Sequence, residues 1–416
     1  MSQATINNKQ TIPEGYKQTT VGVIPEEWED KRFDTFSLFL SGGTPNTANQ
    51  EYFQGNIPFI KSGEINKSQT EHFINEDALK KSSAKIVTKG DLLFALYGAN
   101  SGDVAISKIE GAINQAILCI RPKADKFYIK SFLELNKERL VSKYLQGGQG
   151  NLSAKIVKHL HIPFPPQKEQ EKISQILSTW DEAIEKTQRL IDQLKYRKRG
   201  LAQQLLTRRK RLGEFNGEWK KTRIGDIFKI ENRYISWDED AYYNLVSVRR
   251  RYGGLFFRGS TSAKEIQVKK LKEIKVNDFL ISKRQVSHGA WSVVPKEFDS
   301  FLVSDEYDCL SIINTNILSS NFWRWFCQQP KMTNYAFLDS KGVHIEKLIF
   351  HFNQFRKREL RIPESLAEQE AIASILDEAD KELKLYEQKL NILKKQKKGL
   401  MQKLLMGEVR VKTKKK

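Results

Sequence analysis

The sequence predicts an α+β protein with two mixed α/β domains, separated by a long antiparallel two-helix coiled coil, and a pseudo-twofold repeat. Its 416 residues suffice for two or three domains. One long helical segment occurs twice, and a stretch with the signals of short strands and turns precedes each copy. The predicted boundaries are 1–166 for an N-terminal segment and the first mixed domain, 167–212 for the central helix, 213–365 for the second mixed domain, and 366–416 for the C-terminal helix and a basic tail.

The composition is strongly basic, with 70 Lys and Arg against 50 Asp and Glu, a net charge of +20 and a pI near 9.6. This balance predicts a polyanionic partner. Hydrophobic residues make up 39% of the chain and aromatic residues 10%, so the chain can fill real cores. The composition therefore argues against a wholly disordered basic protein.

The sequence carries no signal for secretion or for membrane insertion. The three cysteines, Cys119, Cys309 and Cys327, are too widely spaced for a disulfide framework or a CxxC metal site. No stretch approaches about 18 consecutive apolar residues. The opening MSQATINNKQ has neither a basic nor an apolar signal region. We therefore expect a cytoplasmic protein that does not bind a membrane.

The repeated helical segment recurs at a constant offset of 199 residues. The copies begin at Glu169 and Glu368, and 15 of 38 positions are identical without a gap. Upstream there are weaker echoes, because IPEEW answers NGEW, KGDLLF answers VNDFLI, and IPFPPQKEQ answers IPESLAEQ. Since the stretches between the helices diverge while the helices agree, we predict different roles for the two parts. Two copies of one domain with no special role are the alternative.

Both helical segments alternate apolar residues by four and three over five heptads, which is typical of a coiled coil. The rows of the first copy are Ile173, Trp180, Thr187, Leu194 and Leu201, and Leu177, Ile184, Ile191, Lys198 and Leu205. Because the second variable region begins where one helix ends and finishes where the other begins, short connections favour antiparallel pairing. This direction places Lys198 and Lys397 at opposite ends, where each is expected to reach solvent. The alternative is two separate amphipathic helices that each cover their own domain.

The variable regions show short apolar runs separated by Gly, Asn and Ser, which predict strands and turns. Examples are KIVTKGDLLFALYGANSGDVAIS and GAINQAILCIRP in the first region, and DAYYNLVSVRRRYGGLFF and KVNDFLISKRQVSHGAWSVV in the second. A helix follows in each region, at FYIKSFLELNKERLVSKYL and near NFWRWFCQQ. Both regions are therefore predicted to be mixed α/β.

Polar and basic side chains gather between these predicted strands, and they are the candidate DNA contacts. In the second region they are Arg249, Arg250, Arg251, Tyr252, Lys283, Arg284, Gln285 and His288. In the first region they are Ser41, Gly43, Thr44, Lys61, Ser62, Tyr97, Asn100, Ser101, Gln149 and Asn151. Arginine pairs bidentately with guanine or phosphate, and glutamine suits adenine. Any one cluster taken alone is more often an ordinary solvated loop than a DNA contact, but the recurrence of such clusters at strand ends in both regions favours contact with DNA for the group.

Sequence signatures of catalysis are missing. There is no phosphate-binding G-x-x-x-x-G-K-[ST] loop, no H-E-x-x-H, no Gly-rich dinucleotide fingerprint, and no Asn/Asp-Pro-Pro-aromatic motif. His159 and His161 are expected to share a face of one strand, without the Cys or carboxylate partners that a metal site needs. We therefore predict no catalytic residue and no metal site in this chain.

Together these features resemble the specificity (S) subunit of type I restriction-modification systems, over nearly the whole chain. The motifs that carry the resemblance are GVIPEEW, SGGTPNT, NIPFIKSGEIN, KGDLLFALYG, GAINQAI, GQGNLSAKIVKHLHIPFPPQKEQEKI and IPESLAEQEAI. Two target-recognition regions and two similar helices occur in the family's order. The second region lacks the SGGTP-like and NLSAKIV-like wording of the first, in line with a family that combines recognition regions of different types.

The resemblance implies a specific role and specific partners. Each recognition domain would read one half of a bipartite target in double-stranded DNA, and the helices would set the gap between the halves. The partners would be two methyltransferase (M) subunits and restriction (R) subunits. Adenine methylation with S-adenosylmethionine, and ATP/Mg-dependent restriction, would belong to these partners, so this chain would hold no cofactor.

Two other functions remain open from the sequence. One is a non-catalytic coiled-coil scaffold whose basic surface binds RNA or acidic proteins. The other is a nuclease without a recognisable signature. Selection from random duplexes distinguishes them, because a split consensus, no consensus, and metal-dependent cleavage by the chain alone are three different outcomes.

Overall fold

The computed structural model describes residues 12–145 and 152–412. It divides the chain into two compact units. Unit 1 comprises Met1–Arg189 and Gln388–Lys416, and unit 2 comprises Leu190–Glu387. Of the helices within the described residues, none combines the length and the apolar character that crossing a lipid bilayer would need.

Unit 1 is a mixed α/β unit. Its strands are β1 (Tyr16–Thr19), β2 (Gly22–Pro25), β3 (Glu29–Arg32), β4 (Ser37–Ser41), β5 (Ile57–Ile60), β6 (Phe73–Ile74), β7 (Lys85–Val87), β8 (Leu92–Ala95), β9 (Val104–Ile106), β10 (Gly111–Ile113), β11 (Ile117–Pro122) and β12 (His161–Phe164). Its helices are α1 (Glu76–Lys80), α2 (Lys126–Leu145), α3 (Ala154–Lys158) and the first part of α4 (Gln167–Leu206).

Unit 2 is built from the same kinds of element. Its helices are the rest of α4, α5 (Ile224–Ile227), α6 (Ser320–Phe326), α7 (Pro330–Leu338), α8 (Phe352–Phe355) and the first part of α9 (Leu366–Leu405), whose remainder belongs to unit 1. Its strands are β13 (Trp219–Arg223), β14 (Phe228–Glu231), β15 (Tyr242–Val248), β16 (Leu255–Ser262), β17 (Leu271–Glu273), β18 (Phe279–Ser282), β19 (Trp291–Val293), β20 (Leu302–Ser304), β21 (Tyr307–Ile312), β22 (Ser340–Lys341), β23 (Ile349–Phe350) and β24 (Glu359–Pro363).

The two units share the topology of their main sheets, while the β1-β2 hairpin belongs to unit 1 and the β22-β23 pair to unit 2. Unit 1 has four-stranded sheets ordered β6-β5-β10-β7 and β4-β11-β8-β9, with a separate β12-β3 pair. Unit 2 has sheets ordered β16-β15-β20-β17 and β14-β21-β18-β19, with a β13-β24 pair. Each strand from β3 to β11 therefore has a counterpart numbered ten higher. The strand directions agree as well, because β5 and β10 are parallel, as are β15 and β20.

Apolar runs occupy the inner strands of both units. β8 and its counterpart β18 are buried at all four positions, which explains why LLFA and FLIS show little alternation of apolar and polar residues. The core of unit 1 packs Trp28 and Phe33 with Tyr128 and Ile129 of α2. The core of unit 2 is richer in aromatic rings, with Phe228 and Trp323 at 4.8 Å between ring centroids.

A carboxylate in the same turn of each unit explains the KGDLLF and VNDFLI echo. Asp91 accepts a hydrogen bond from the Thr88 backbone N–H at 2.9 Å and from Arg121 at 2.7 Å. Asp278 accepts one from the Lys275 backbone N–H at 2.8 Å and one from Arg233 at 2.5 Å. Each aspartate therefore closes the turn that leads into an inner strand.

Identical residues of the repeated helices make equivalent contacts in each unit. In unit 1, Lys397 of α9 pairs with Asp181 of α4 at 2.6 Å. In unit 2, Lys198 of α4 pairs with Asp380 of α9. Within unit 2, Arg211 near the end of α4 reaches Glu368 near the start of α9, so the two helices run in opposite directions there.

The expectation that Lys198 and Lys397 both reach solvent was wrong. Lys397 is 8% exposed and contacts Glu134 at 3.4 Å in addition to Asp181. Lys198 is half-buried against Asp380. A lysine side chain is long enough to carry its ammonium group to water. Here, however, carboxylates lie beside both lysines and form ion pairs with their ammonium groups.

A Trp–Glu–Arg triad occurs in each unit at the base of the helices. In unit 1, Glu169 accepts from Trp28 Nε1 at 3.0 Å and from Arg410 at 2.8 and 3.0 Å. Its counterpart Glu368 in unit 2 accepts from Trp219 Nε1 at 3.1 Å and from Arg211 at 3.1 and 2.7 Å. Both carboxylates are buried, so their hydrogen bonds replace the water that they lose on folding.

Candidate nucleic-acid interface

Three predicted loops of unit 1 meet at one short turn between β10 and β11, residues 114–116, which we call the central turn. The Asn114 backbone N–H donates to Ile60 O at the end of β5, at 3.2 Å. The Leu96 N–H, after β8, donates to Ala116 O at 2.8 Å. The Gly43 N–H, after β4, donates to Ile113 O at 3.0 Å. The predicted residues near Ser41, Lys61 and Tyr97 are thus brought together.

Two glycines allow the loop after β4 to approach the central turn. A β-carbon at Gly42 would overlap the carbonyl oxygen of Asn114, and one at Gly43 would overlap Ser83. Gly43 is therefore needed for close approach and has no side chain to offer to DNA. The approach brings the Thr44 hydroxyl to Gln115, to whose Oε1 it donates a hydrogen bond. Ser41 ends β4 and is exposed.

The loops after β5 and β8 lie against each other. Lys61 is exposed and precedes the short 3-10 turn Ser62–Glu64, where its backbone N–H donates to Glu64 Oε2 at 3.3 Å. A β-carbon on Gly63 would lie 3.2 Å from Asn100 Nδ2, so the Asn100 amide lies beside this turn. Ser101 differs, because it is 8% exposed and its hydroxyl donates to Leu96 O at 3.0 Å. Its geometry favours a role in holding the loop.

Tyr97 is half-buried in the same loop and hydrogen-bonds Gln115. Burial raises the pKa of its phenol, and the bond with Gln115 works in the opposite direction. The two remaining candidates of the first region, Gln149 and Asn151, lie outside the described residues.

The arginine cluster of unit 2 occupies the turn between β15 and β16 in a strained backbone conformation. Arg251 and Tyr252 both have φ of 57°, in the left-handed region that residues with a β-carbon rarely adopt. The turn is fixed from outside, since the Arg251 N–H donates to His288 O at 2.8 Å and the Tyr252 N–H to Gly289 O at 2.9 Å. Strain of this kind persists where the surrounding structure determines it, and it is frequent at functional sites.

The two predicted clusters of unit 2 form one surface. Arg250 Nε donates to Gln285 Oε1 at 2.6 Å, which joins the first cluster to the second. Tyr252 stacks on Trp291 with ring centroids 6.3 Å apart, and its hydroxyl bonds Thr333. Arg249 lies over the Phe256 ring at 4.6 Å. The guanidinium of Arg251 is exposed, so the turn presents it to solvent.

The turn between β20 and β21, residues 305 and 306, is the central turn of unit 2. The Lys283 N–H donates to Glu306 O at 3.0 Å, as Leu96 does to Ala116 in unit 1. Arg284 Nε pairs with Glu306 Oε2 at 2.6 Å. Arg284 therefore shares its charge with a carboxylate and is not a free cation. Lys283 itself is half-buried.

The structure adds four residues that the sequence analysis missed, namely Gln115, Tyr234, Asp305 and Glu306. The Tyr234 hydroxyl donates to Asp305 Oδ1 at 2.6 Å, across 71 residues of chain. Thr44 and Gln115 in unit 1 are separated by the same 71 residues. The two residue pairs follow strands that correspond in topology, and this correspondence is the signal that could have located them. It could be recognised only once the fold showed which strands correspond.

Burial raises the pKa of Asp305, but Tyr234 and Lys272 outweigh this effect and hold it well below the ordinary value. Lys272 is 2% exposed and lies 3.0 Å from Asp305 Oδ1. Asp305 is partly exposed, and its charge is shared with the lysines beside it.

The histidines and cysteines do not build a chemical site. The prediction that His159 and His161 share a strand face was wrong, because His159 caps the C-terminal end of α3 and only His161 belongs to β12. His161 Nδ1 lies 2.7 Å from Asp30. The described residues contain no group of three or more His, Cys, Asp or Glu side chains placed to hold a metal ion. Cys119, Cys309 and Cys327 are free and buried, and burial raises the pKa of Cys119 and Cys309 to about 12.

A family model agrees with this architecture. The model described as "Type I restriction modification DNA specificity domain" matches residues 25–196 and 216–395. The chain belongs to this family. The resemblance seen in the sequence is therefore confirmed, and the chain is a type I specificity subunit that recognises DNA targets and has no catalytic role of its own.

One curated relative matches almost the whole chain, and another matches less than half of it. The chain is 25% identical to the type I restriction enzyme MjaIX specificity subunit of Methanocaldococcus jannaschii, over 95% of this chain and 96% of that one. It is 22% identical to the EcoR124I/EcoR124II specificity subunit of Escherichia coli, over 43% of this chain and 47% of that protein.

Solved structures show the same fold. The S subunit from M. genitalium has a TM-score of 0.56 at 16% identity, covering 91% of this chain and 96% of that chain. A structure described in a study of complex assembly and conformational transition of the type I R-M system also has a TM-score of 0.56, at 13% identity, with 93% and 99% covered. As a specificity subunit, this chain has its two matched segments in units of equal strand topology.

Proposed function

We propose that this specificity subunit reads a bipartite DNA target, with each unit recognising one half. The observation that carries the proposal is the repeated geometry of the loops. In both units, loops that follow corresponding strands meet around the turn between β10 and β11 or between β20 and β21. Two surfaces of the same construction and different chemistry suit two half-sites of different sequence.

The chemistry of the loops suits direct contact with DNA. The turn after β15 presents arginines, which bind guanine edges and phosphates bidentately. The loops of unit 1 present amides, hydroxyls and Lys61. The DNA contacts that we propose are the candidate residues predicted from the sequence, except for Gly43 and Ser101, whose geometry favours structural roles. Gln149 and Asn151, which lie outside the described residues, remain predictions from the sequence.

The proposal includes the partners that the family implies. Two M subunits would methylate adenine with S-adenosylmethionine, and R subunits would use ATP and Mg²⁺ for restriction, in the cytoplasm where the DNA lies. This chain would direct both activities to its target and bind neither cofactor. The division into 1–166, 167–212, 213–365 and 366–416 remains the proposed arrangement of recognition domains and helices.

Selection from a pool of random-sequence duplexes tests the proposal. The full chain, alone and with its partner subunits, should enrich a consensus of two separated blocks. A single block, or none, would contradict bipartite recognition. Binding that is equally tight for RNA or acidic protein, with no DNA consensus, would instead support a basic scaffold.

We further propose that α4 and α9 form one antiparallel coiled coil with a pseudo-twofold axis, which sets the gap between the half-sites. Support comes from their equal lengths of 40 residues and from the equivalent Lys–Asp pairs in the two units. Each helix is about 60 Å long at about 1.5 Å per residue. That length fits a spacer between two DNA-reading surfaces.

Insertion of seven residues at matched heptad positions of α4 and α9 tests the spacer. The seam stays in phase, while the helices lengthen by about 10.5 Å. We expect a preferred gap about three base pairs longer, with weaker affinity because the half-sites also rotate relative to each other. A four-residue insertion, which shifts the seam, is the control and should do worse. A folded seven-residue variant that keeps the parental gap and affinity would overturn the spacer role.

A further inference from the structure

Gln115 occupies the middle of the central turn of unit 1 and is exposed. Its side chain is held from two sides, by the Thr44 hydroxyl, which donates to its Oε1, and by Tyr97. Such contacts restrict the rotation of the amide. Gln115 is therefore an oriented polar group on the surface where three loops of unit 1 meet.

The amide of Gln115 keeps unused hydrogen-bonding capacity. A glutamine side chain has two N–H donors and an oxygen with two lone pairs. Thr44 uses one lone pair. Since the amide nitrogen carries two N–H groups, it can donate to Tyr97 and keep one N–H for a ligand, together with the second lone pair of the oxygen.

We propose that Gln115 is a specificity-determining residue that reads an adenine in the half-site bound by unit 1. The inference rests on the proposed function and names one of its base contacts. In the major groove, adenine presents the N6 amino donor beside the N7 acceptor, and a glutamine amide matches this pair with its oxygen and N–H. Guanine presents two acceptors there and would leave the amide oxygen facing another oxygen.

The corresponding position of unit 2 is used differently. Asp305 stands where Gln115 stands, but its oxygens are engaged by Tyr234 at 2.6 Å and by Lys272 at 3.0 Å. Lys270 adds a third contact at 3.5 Å. This carboxylate is satisfied within the protein, so the assignment of a base contact is made for Gln115 alone.

The test compares Gln115→Ala with the wild-type chain by duplex selection and by affinity for the selected site. Gln18→Ala is the matched control, because Gln18 is an exposed glutamine of unit 1 on the β1 hairpin. We expect Gln115→Ala to lose its preference at one adenine of one block, with a fall in affinity of about 5- to 150-fold for the cognate site. The other block and the Gln18→Ala consensus should be unchanged.

Two conservative variants separate reading from folding. Gln115→Glu keeps an acceptor and loses the N–H, so it should favour cytosine, whose N4 amino group is a donor without a neighbouring N7 acceptor. Thr44→Val removes the hydroxyl that orients the amide and should weaken the adenine preference without changing the base.

Three outcomes would count against the inference or its basis. An unchanged consensus and affinity in Gln115→Ala would overturn the role of Gln115 alone. An equal loss for cognate and random DNA would assign Gln115 to structure and also overturn it. If the wild-type chain itself selects no consensus, the proposed function fails, and the base contact fails with it.

Discussion

Unit 1 and unit 2 share their strand order but differ in the chemistry of the loops that the strands carry. Around the central turn, unit 1 uses an amide and hydroxyls, Gln115 with Thr44 and Tyr97. Unit 2 uses carboxylates in the same places, since Tyr234 donates a hydrogen bond to Asp305 and Arg284 forms an ion pair with Glu306. We infer that the framework contacts and the contacts proposed for DNA are made by separate sets of residues.

The framework contacts are nearly the same in both units. The turn carboxylates Asp91 and Asp278 accept equivalent backbone hydrogen bonds, and each also binds an arginine, from β11 in unit 1 and from the residues after β14 in unit 2. Glu169 and Glu368 each bind a tryptophan and an arginine. Substitutions in the framework should therefore act alike in the two units, and substitutions in the loops should not.

Exchange of a whole loop set should have the largest effect. Replacing residues 220–360 by the matching region of a relative should change one block of the DNA consensus completely and leave the other block as it was, because each unit has its own loops and core. Duplex selection measures both blocks at once. A chimera in which both blocks change would show that the two units share recognition.

The buried triads should give the next largest effect, and an equal one in each unit. Glu169→Ala and Glu368→Ala each leave a buried indole N–H without its acceptor and remove the hydrogen bonds to an arginine, which is exposed at Arg410 and half-buried at Arg211. Each change should lower the free energy of unfolding by about 2–4 kcal/mol. Urea unfolding followed by circular dichroism measures the loss. Glu27→Ala is the control, since Glu27 binds the same Arg410 from an exposed position and should cost less than about 1 kcal/mol. Clearly unequal losses for the two triad variants would break the equivalence of the units.

A single arginine of the strained turn should have a moderate and local effect. Arg251→Ala is expected to cost about 1–3 kcal/mol of binding free energy on the cognate site and to relax one position of one block. Arg209→Ala removes an exposed arginine beyond the end of α4 and should weaken all sequences alike and reduce the salt dependence. Titrations on cognate and random duplexes at several salt concentrations separate the two. Identical losses on both DNAs for Arg251→Ala would remove it from the base contacts.

The smallest effect is expected for the turn aspartate Asp91, and it should depend on pH. Burial raises the pKa of Asp91, but the hydrogen bonds from Arg121 and the Thr88 N–H outweigh it and keep the pKa below its ordinary value. The contribution of Asp91 to the free energy of unfolding is therefore complete at neutral pH, and it is lost as the pH falls through the pKa that this carboxyl has in the folded state. Asp91→Asn keeps one acceptor oxygen and should cost about 0.5–1.5 kcal/mol of unfolding free energy at neutral pH, and the difference from the wild type should narrow in acid. Unfolding at a series of pH values checks this, and a gap that widens in acid would contradict it.

Local patterns predicted much of the fold. Periodicity located both long helices, and apolar runs located the inner strands, because burial imposes these patterns residue by residue. The Trp28 and Trp219 echo and the Asp91 and Asp278 echo mark framework contacts that the structure shows in detail. Such contacts recur in the sequence because both units need the same geometry.

The contacts of the site were harder to predict. Thr44 and Gln115 meet across 71 residues, and no local pattern reports that meeting. The heptad pattern located Lys397 among the apolar positions of α9, and the sequence therefore predicted that its side chain reaches solvent. The carboxylates that pair with it, Asp181 and Glu134, lie on two other helices, and only the fold brings them to it. The joining of Arg250 to Gln285 likewise depends on the fold, because Arg250 follows β15 of one sheet and Gln285 follows β18 of the other.

The division of the chain has a consequence for its synthesis. Unit 2 is one continuous stretch, 190–387, whereas unit 1 is completed by residues after 387. Ile173 and Leu177 pack against Met401 and Leu404, which follow them by more than 200 residues. At about 5–20 residues per second, a ribosome needs roughly 10–45 s to produce that cover. Unit 2 can therefore fold before unit 1 is complete. Until Met401 and Leu404 have been synthesised, the apolar side chains of Ile173 and Leu177 lack the residues that cover them.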